Sequence, residues 1–130
     1  MSNTALRIVI ADRQQDQRSK IENMLNRLGY CRVAHLSSFQ ALQAATRTQG
    51  TPFDLLIVNT VLVPSRQFNL LKFCHDNPRI RHALIYEGQR ADSSQVSVPV
   101  NGRIQLCLSQ APDFDSIKRC LHSVDPLFAR

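Results

Sequence analysis

Two kinds of apolar pattern take turns along this chain. Leu6 to Ala11 is a short run interrupted only by Arg7, as a strand covered on both faces requires. Ile21, Met24, Leu25 and Leu28 then recur at the i, i+3, i+4, i+7 spacing of one helical face, and Gly29 is placed to close that helix. Cys31 to Leu36 alternates weakly and predicts a second strand. Ser37 or Ser38 can cap a second helix that runs to about Thr48, with Leu42 and Ala45 inward and Gly50 past its end. Leu55-Leu56-Ile57-Val58, entered through Thr51-Pro52, is the strongest strand signal. A third helix is expected from about Ser65 to His75, with Phe68, Leu71 and Cys74 inward, stopping before Asn77-Pro78. Ala83 to Tyr86 and Ile104 to Leu108 predict a fourth and a fifth strand. A last helix, with Asp113 as N-cap, buries Phe114, Ile117, Leu121 and Val124 and ends before Pro126.

Strands alternating with helices at this rhythm predict an α/β fold with a doubly wound, five-stranded parallel sheet. One segment breaks the rhythm. Between Tyr86 and Ile104 there is no helical stripe, and Pro99 interrupts its second half. The fourth helix is therefore expected to be degenerate or missing, with at best one turn around Ala91 to Gln95 inside an irregular, exposed connection.

Length bounds this picture to one domain over residues 1–130, with a core from about 6 to 124. Residues 125–130, which include Leu127 and Phe128, read as a tail packed back on the sheet or as the start of a linker. An apolar fraction of 43% supports a packed core and argues against a disordered chain. No stretch approaches the roughly 20 apolar residues of a membrane span, and the first residues lack the charged and apolar regions of a signal peptide. Cys31, Cys74, Cys107 and Cys120 lie far apart, which suits buried, reduced thiols better than a disulfide frame or a zinc site. A cytoplasmic protein is expected.

Charge adds a second possibility. The formal net charge is +6, and 13 of the 16 basic residues are arginine, the side chain that favours bidentate carboxylate or phosphate partners. They are scattered along the chain, with only Arg79/Arg81 and Lys118/Arg119 close together. A dispersed solvated surface and a nucleic-acid face both remain open, the scatter favouring the first.

In open parallel sheets the ligand crevice lies outside the carboxyl ends of the strands. The residues just past them are Asp12 and Arg13, Asn59 and Thr60, Glu87, and Ser109-Gln110-Ala111. Here a family resemblance emerges. Arg7-Ile8-Val9-Ile10-Ala11-Asp12, the helix ending Leu28-Gly29-Tyr30, and Phe53-Asp54-Leu55-Leu56-Ile57-Val58-Asn59 resemble the receiver domain of bacterial response regulators, from about Arg7 to Val124. The resemblance implies a flavodoxin-like sheet of strand order 2-1-3-4-5. It also implies a site where two acidic residues and a third-strand aspartate hold magnesium, and where that aspartate accepts a phosphoryl group from a histidine kinase. A Thr or Ser after the fourth strand and a Lys after the fifth would contact the phosphoryl oxygens.

Only Asp12 matches that pattern. Arg13 stands at the second acidic position, Asn59 at the phosphoacceptor, Glu87 at the Thr/Ser position, and Gln110 or Ala111 at the lysine. Magnesium wants oxygen ligands, mostly carboxylate and water. A guanidinium about 4 Å from a dication would cost about 8 kcal/mol at an effective dielectric of 20. An asparagine amide carries no anionic oxygen to accept a phosphoryl group. These positions therefore read as a degenerate phosphorylation site. Arg13 bridges Asp12 and Glu87 in place of the metal, or points into solvent, or holds an anion. The resemblance also implies an aromatic residue on the last strand as the relay of the phosphorylation switch, and Leu108 or Cys107 stands at that position here.

Other chemistry has little behind it. His35, His75, His82 and His122 do not assemble the three or four ligands of a zinc site. Ser109 has no histidine obviously placed to activate it, and no glycine-rich nucleotide motif is present. The reading is a non-enzymatic, phosphorylation-independent interaction module of bacterial two-component signalling or transcription regulation. It expects no cofactor, a protein partner or homodimer, and no membrane. Nucleic-acid association through the basic surface is the alternative, and a ligand-sensing pocket at the strand ends the third reading.

Overall fold

A computed structural model of the chain describes residues 6–47, 53–62, 70–86, 95–100, 103–108 and 112–125. Strand β1 (Ile8–Ala11) leads into helix α1 (Gln15–Arg27), then β2 (Val33–Leu36), α2 (Phe39–Arg47) and β3 (Leu55–Asn59). A 3-10 turn at Thr60–Leu62 follows, then α3 (Leu70–Asp76), β4 (Ala83–Tyr86), β5 (Gln95–Val100), β6 (Arg103–Leu108) and α4 (Phe114–Val124). The sheet order is β2-β1-β3-β4-β6-β5. Every pair is parallel except β5–β6.

Two apolar layers sandwich the sheet, as the uniformly apolar strands require. Ile8, Ile10, Leu55, Ile57 and Leu84 face α1 and α4, where Ile21, Leu25, Ile117 and Leu121 are fully buried. Val9, Ala11, Leu56, Val58 and Ile85 face α2 and α3, against Phe39, Leu42 and Cys74. The α1 stripe is as its spacing predicts, with Ile21 and Leu25 buried and Met24 and Leu28 packed at the margin. Gly29 follows the helix at φ 97°, a left-handed conformation that penalises any residue with a Cβ. Ser38, rather than Ser37, caps α2, its Oγ accepting the Ala41 N–H at 3.1 Å.

Three expectations are corrected. Among the described residues the sheet has six strands, because Gln95–Val100, read from sequence as an irregular connection, pairs antiparallel with the expected fifth strand, here β6. Pro99 does not prevent this, since β5 lies at the sheet edge, where a missing N–H need not break a ladder. The described residues between β4 and β6 thus include a strand and no helix. The expected third-helix start near Ser65 and the turn at Ala91 lie outside the described residues, as do Leu127 and Phe128. Phe114 is only half-buried; the Arg27 guanidinium covers it at 4.5 Å from the ring centroid, and Cys120 takes a core position instead. Finally, Cys31 is exposed, whereas Cys74 and Cys120 are buried and all three are free thiols. Burial pushes the Cys120 thiol up to about 12, which keeps it protonated and unreactive.

Helix α4 begins in a full capping box. Asp113 Oδ1 accepts the Ser116 N–H at 2.8 Å, and Ser116 Oγ accepts the Asp113 N–H at 2.8 Å. The bonds from Ser116 hold the Asp113 carboxyl below its ordinary 3.8, with Arg119 adding a smaller pull in the same direction. Because the folded-state value is depressed, the cap stabilises fully above pH 3.8 and its contribution is lost as pH falls through the folded value. Asp113→Ala is expected to lower stability by about 1 kcal/mol at neutral pH. In urea unfolding, the gap between variant and unaltered chain should narrow as the pH falls below 3.8.

At the opposite end of α4, the buried Asp125 carboxylate accepts the buried Tyr30 hydroxyl at 2.5 Å. This contact fastens the chain after α1 to the last residue described.

Candidate functional site

Strand alternation and register assemble the site. Asp12 continues the Ile8, Ile10 face of β1, Asn59 the Leu55, Ile57 face of β3, and Tyr86 the Leu84 face of β4. Asn59 is opposite Tyr86, and Ala11 is opposite Val58, so Asp12, Asn59 and Tyr86 form one row across three adjacent strands. All three side chains point toward α1 and α4, and all are buried at the carboxyl ends of the strands.

The row closes on Asp12. Its Oδ2 accepts the Asn59 amide at 3.1 Å and the Tyr86 hydroxyl at 2.5 Å. Its Oδ1 accepts the Gln14 N–H at 2.9 Å, a local turn that leads the chain into α1. Asn59 makes the equivalent turn on its own strand, its Oδ1 accepting the Val61 N–H at 3.0 Å. That contact fixes the amide orientation and leaves the NH2 facing Asp12. An asparagine can serve both partners at once; a carboxylate has no hydrogen to offer Asp12. Tyr86 reaches Asp12 past the whole width of β3, about 10 Å between the outer strands. Burial raises the Tyr86 phenol, first by desolvation and then through the Asp12 hydrogen bond and charge, so the hydroxyl remains a donor.

The cation at the site is Arg18, one turn into α1. Its guanidinium donates to the Asp12 carbonyl at 2.5 Å, and its charge reaches the Tyr86 hydroxyl. Its Nε is buried with no hydrogen-bond partner among the described residues. Arg13 is exposed, and among the described residues it makes no bond to Asp12. Of the readings open for Arg13, the bridge to Asp12 is not formed: the carboxylate carries neutral donors from Asn59, Tyr86 and Gln14, and the Arg13 side chain is exposed. Glu87, Ser109, Gln110 and Ala111 lie outside the described residues, and β6 is described by its backbone path alone at Cys107 and Leu108.

These residues do not fit a divalent cation. Asp12 Oδ2 carries two hydrogen-bond donors, Asp12 Oδ1 and the Asn59 oxygen carry one each, and among the described residues the cation bonded at the site is a guanidinium. Among the described residues no group of three His, Cys, Asp or Glu could hold a metal ion. His35 bonds Glu22 at 3.0 Å and His75 bonds Asp76 at 3.2 Å, both at the surface. His122 is exposed and His82 half-buried.

Tyr86 and Arg18 were not singled out by sequence. Tyr86 ends an apolar run and reads as core, and the first position past that run is Glu87. The signal was its place in the alternation, on the same face as Asp12 and Asn59. Arg18 lies within a polar first turn that gives no sign of which side chain folds back.

No protein-family model matches the sequence, and no curated protein is similar to it in sequence. Among solved structures, the chain is similar to a response regulator receiver domain protein from Bacillus halodurans C-125, with a TM-score of 0.67 at 21% identity. The match covers 93% of this chain and 97% of that one. The likeness shows the fold alone: a parallel sheet with β2, β1, β3 and β4 in the expected order and helices on both faces.

Proposed function

We propose that this receiver-like domain is a non-enzymatic interaction module of the bacterial cytoplasm, which binds a regulatory protein or a second copy of itself independently of phosphorylation. The observation that carries this reading is Asn59. It stands at the end of β3, where the resemblance implies a phosphoacceptor, yet it is buried and committed as donor to Asp12 and as acceptor to Val61. A phosphoryl transfer there would need an anionic oxygen the amide lacks, and a cation competing with the two donors on Asp12 Oδ2.

What remains of the architecture is a rigid scaffold with a receiver's shape. Receiver-like folds present helix faces and sheet ends to other proteins, and among the described residues no helix is long and apolar enough to cross a membrane. The test is capture of the tagged protein's partners from lysate, followed by binding of the purified partner with and without acetyl phosphate and Mg2+. Affinity within about twofold in both conditions supports the reading, since a switch would show at least a several-fold coupling. A partner whose binding depends on the phosphodonor contradicts it.

The net charge of +6 favours a second reading, association with nucleic acid. Nuclease treatment of the lysate separates the two. A protein partner retained after nuclease supports the first reading, and recovery that collapses with nuclease supports the second.

A further inference from the structure

We infer that Tyr86, together with the Asn59 amide, occupies the Asp12 carboxylate in the way a bound divalent cation would, and that Tyr86 is what keeps the strand-end site shut to cations even when a carboxylate is restored at position 59. The inference stands on the geometry of the row and holds whichever partner the domain takes.

Asp12 Oδ2 carries two donors, Tyr86 Oη at 2.5 Å and Asn59 Nδ2 at 3.1 Å, while Oδ1 carries the Gln14 N–H at 2.9 Å. A cation approaching Oδ2 must displace the tyrosine hydroxyl. That hydroxyl has no water to turn to, because Tyr86 is wholly buried. Its ring is held between the sheet and the α1/α4 layer, so it cannot swing aside without opening the core. Displacement would leave a buried donor unsatisfied, a loss of about 1–3 kcal/mol before any metal–oxygen bond is counted.

Position 59 contributes differently. Asn59→Asp would supply a second carboxylate for a cation, but the Tyr86 hydroxyl would still bridge to Asp12 from the far side of β3. Restoring the acidic residue is therefore insufficient. Tyr86→Phe keeps the ring in the core and removes only the hydroxyl, freeing a lone pair on Asp12. Both changes together leave two carboxylates side by side with an open position between them, the arrangement a hard cation takes.

The experiment is Mn2+ binding, followed by the electron paramagnetic resonance of the free ion, in the full chain and in Asn59→Asp, Tyr86→Phe and the double variant. The double variant is expected to bind about tenfold or more tighter than Asn59→Asp, the loss of one hydrogen bond to a charged group. The unaltered chain should bind no better than a non-specific surface. Equal affinity in Asn59→Asp and the double variant would overturn the inference, as would a double variant no better than the unaltered chain. Should Asn59→Asp fail to fold, Asn59→Glu with and without Tyr86→Phe carries the same test. Mn2+ should raise the Tm of that double variant and leave that of Asn59→Glu in place; equal shifts in both count against the role given to Tyr86.

Discussion

Asp12→Ala should lower the Tm by about 10–20 °C, a loss of about 3–5 kcal/mol for a chain of this size. The carboxylate is the common acceptor for Asn59, Tyr86 and Gln14, and it ties β1 to β3, to β4 and to the start of α1. Alanine removes that acceptor and strands two buried donors, each at about 1–3 kcal/mol. The Gln14 N–H is nearer the surface and loses less. Thermal unfolding followed by circular dichroism measures the effect. A loss below about 1 kcal/mol, the size of an ordinary surface substitution, would show that the row does not stabilise the strand ends.

Asn59→Asp should be the second most damaging change, with a signature in pH. It replaces the donor facing Asp12 with a carboxylate, about 3–4 Å from an existing negative charge and out of water, a repulsion of about 4–6 kcal/mol at an effective dielectric of 20 while both are ionised. Burial and the Asp12 charge both favour its protonated form, so its folded-state value lies above the ordinary carboxylate value of about 3.9. The sign follows from that. Below the ordinary value the new group is protonated in both states and can itself donate to Asp12, so the variant is close to the unaltered chain. As pH rises from there to the raised folded value, the unfolded state ionises first and stability is lost progressively. Urea unfolding across this range should show the deficit growing with pH and then levelling off; a deficit independent of pH would mean that the damage is steric.

Most of the scaffold is legible in the sequence because its signals are local and redundant. The α1 stripe, Gly29 at a left-handed position, the Asp113 cap and the uniformly apolar β3 each rest on one physical rule, and each is found within a residue or two of where the rule puts it. The β5–β6 hairpin had a signal that a competing one outweighed. Val96, Val98 and Val100 alternate, and Asn101-Gly102 between the paired Val100 and Arg103 is the dipeptide that two-residue hairpin turns favour. Pro99 argued against a strand, but that argument holds only for a strand with neighbours on both sides.

The site was legible at the strand ends and obscure in its partners. Asp12 and Asn59 follow from counting past apolar runs, and their adjacency follows from parallel register. Which cation answers Asp12 does not, because a helix turn can bring in a side chain six residues away as readily as the next one. Arg13 is next in sequence and points outward, while Arg18 folds back onto the Asp12 carbonyl. Tyr86 was hidden by its own composition. An aromatic at the end of an apolar strand reads as packing, and only the three-strand row shows its hydroxyl arriving at a buried carboxylate.

Amide NMR spectra of the unaltered protein, titrated with Mg2+ and then with beryllofluoride, which mimics a bound phosphoryl group, decide whether the hydrogen-bonded row excludes both. The amides of Asp12, Arg13, Asn59 and Val61 are expected to stay in place throughout, apart from small non-saturating salt effects. Saturable shifts centred on Asp12 and Asn59 would show the opposite, a site open to these ligands despite its hydrogen bonds.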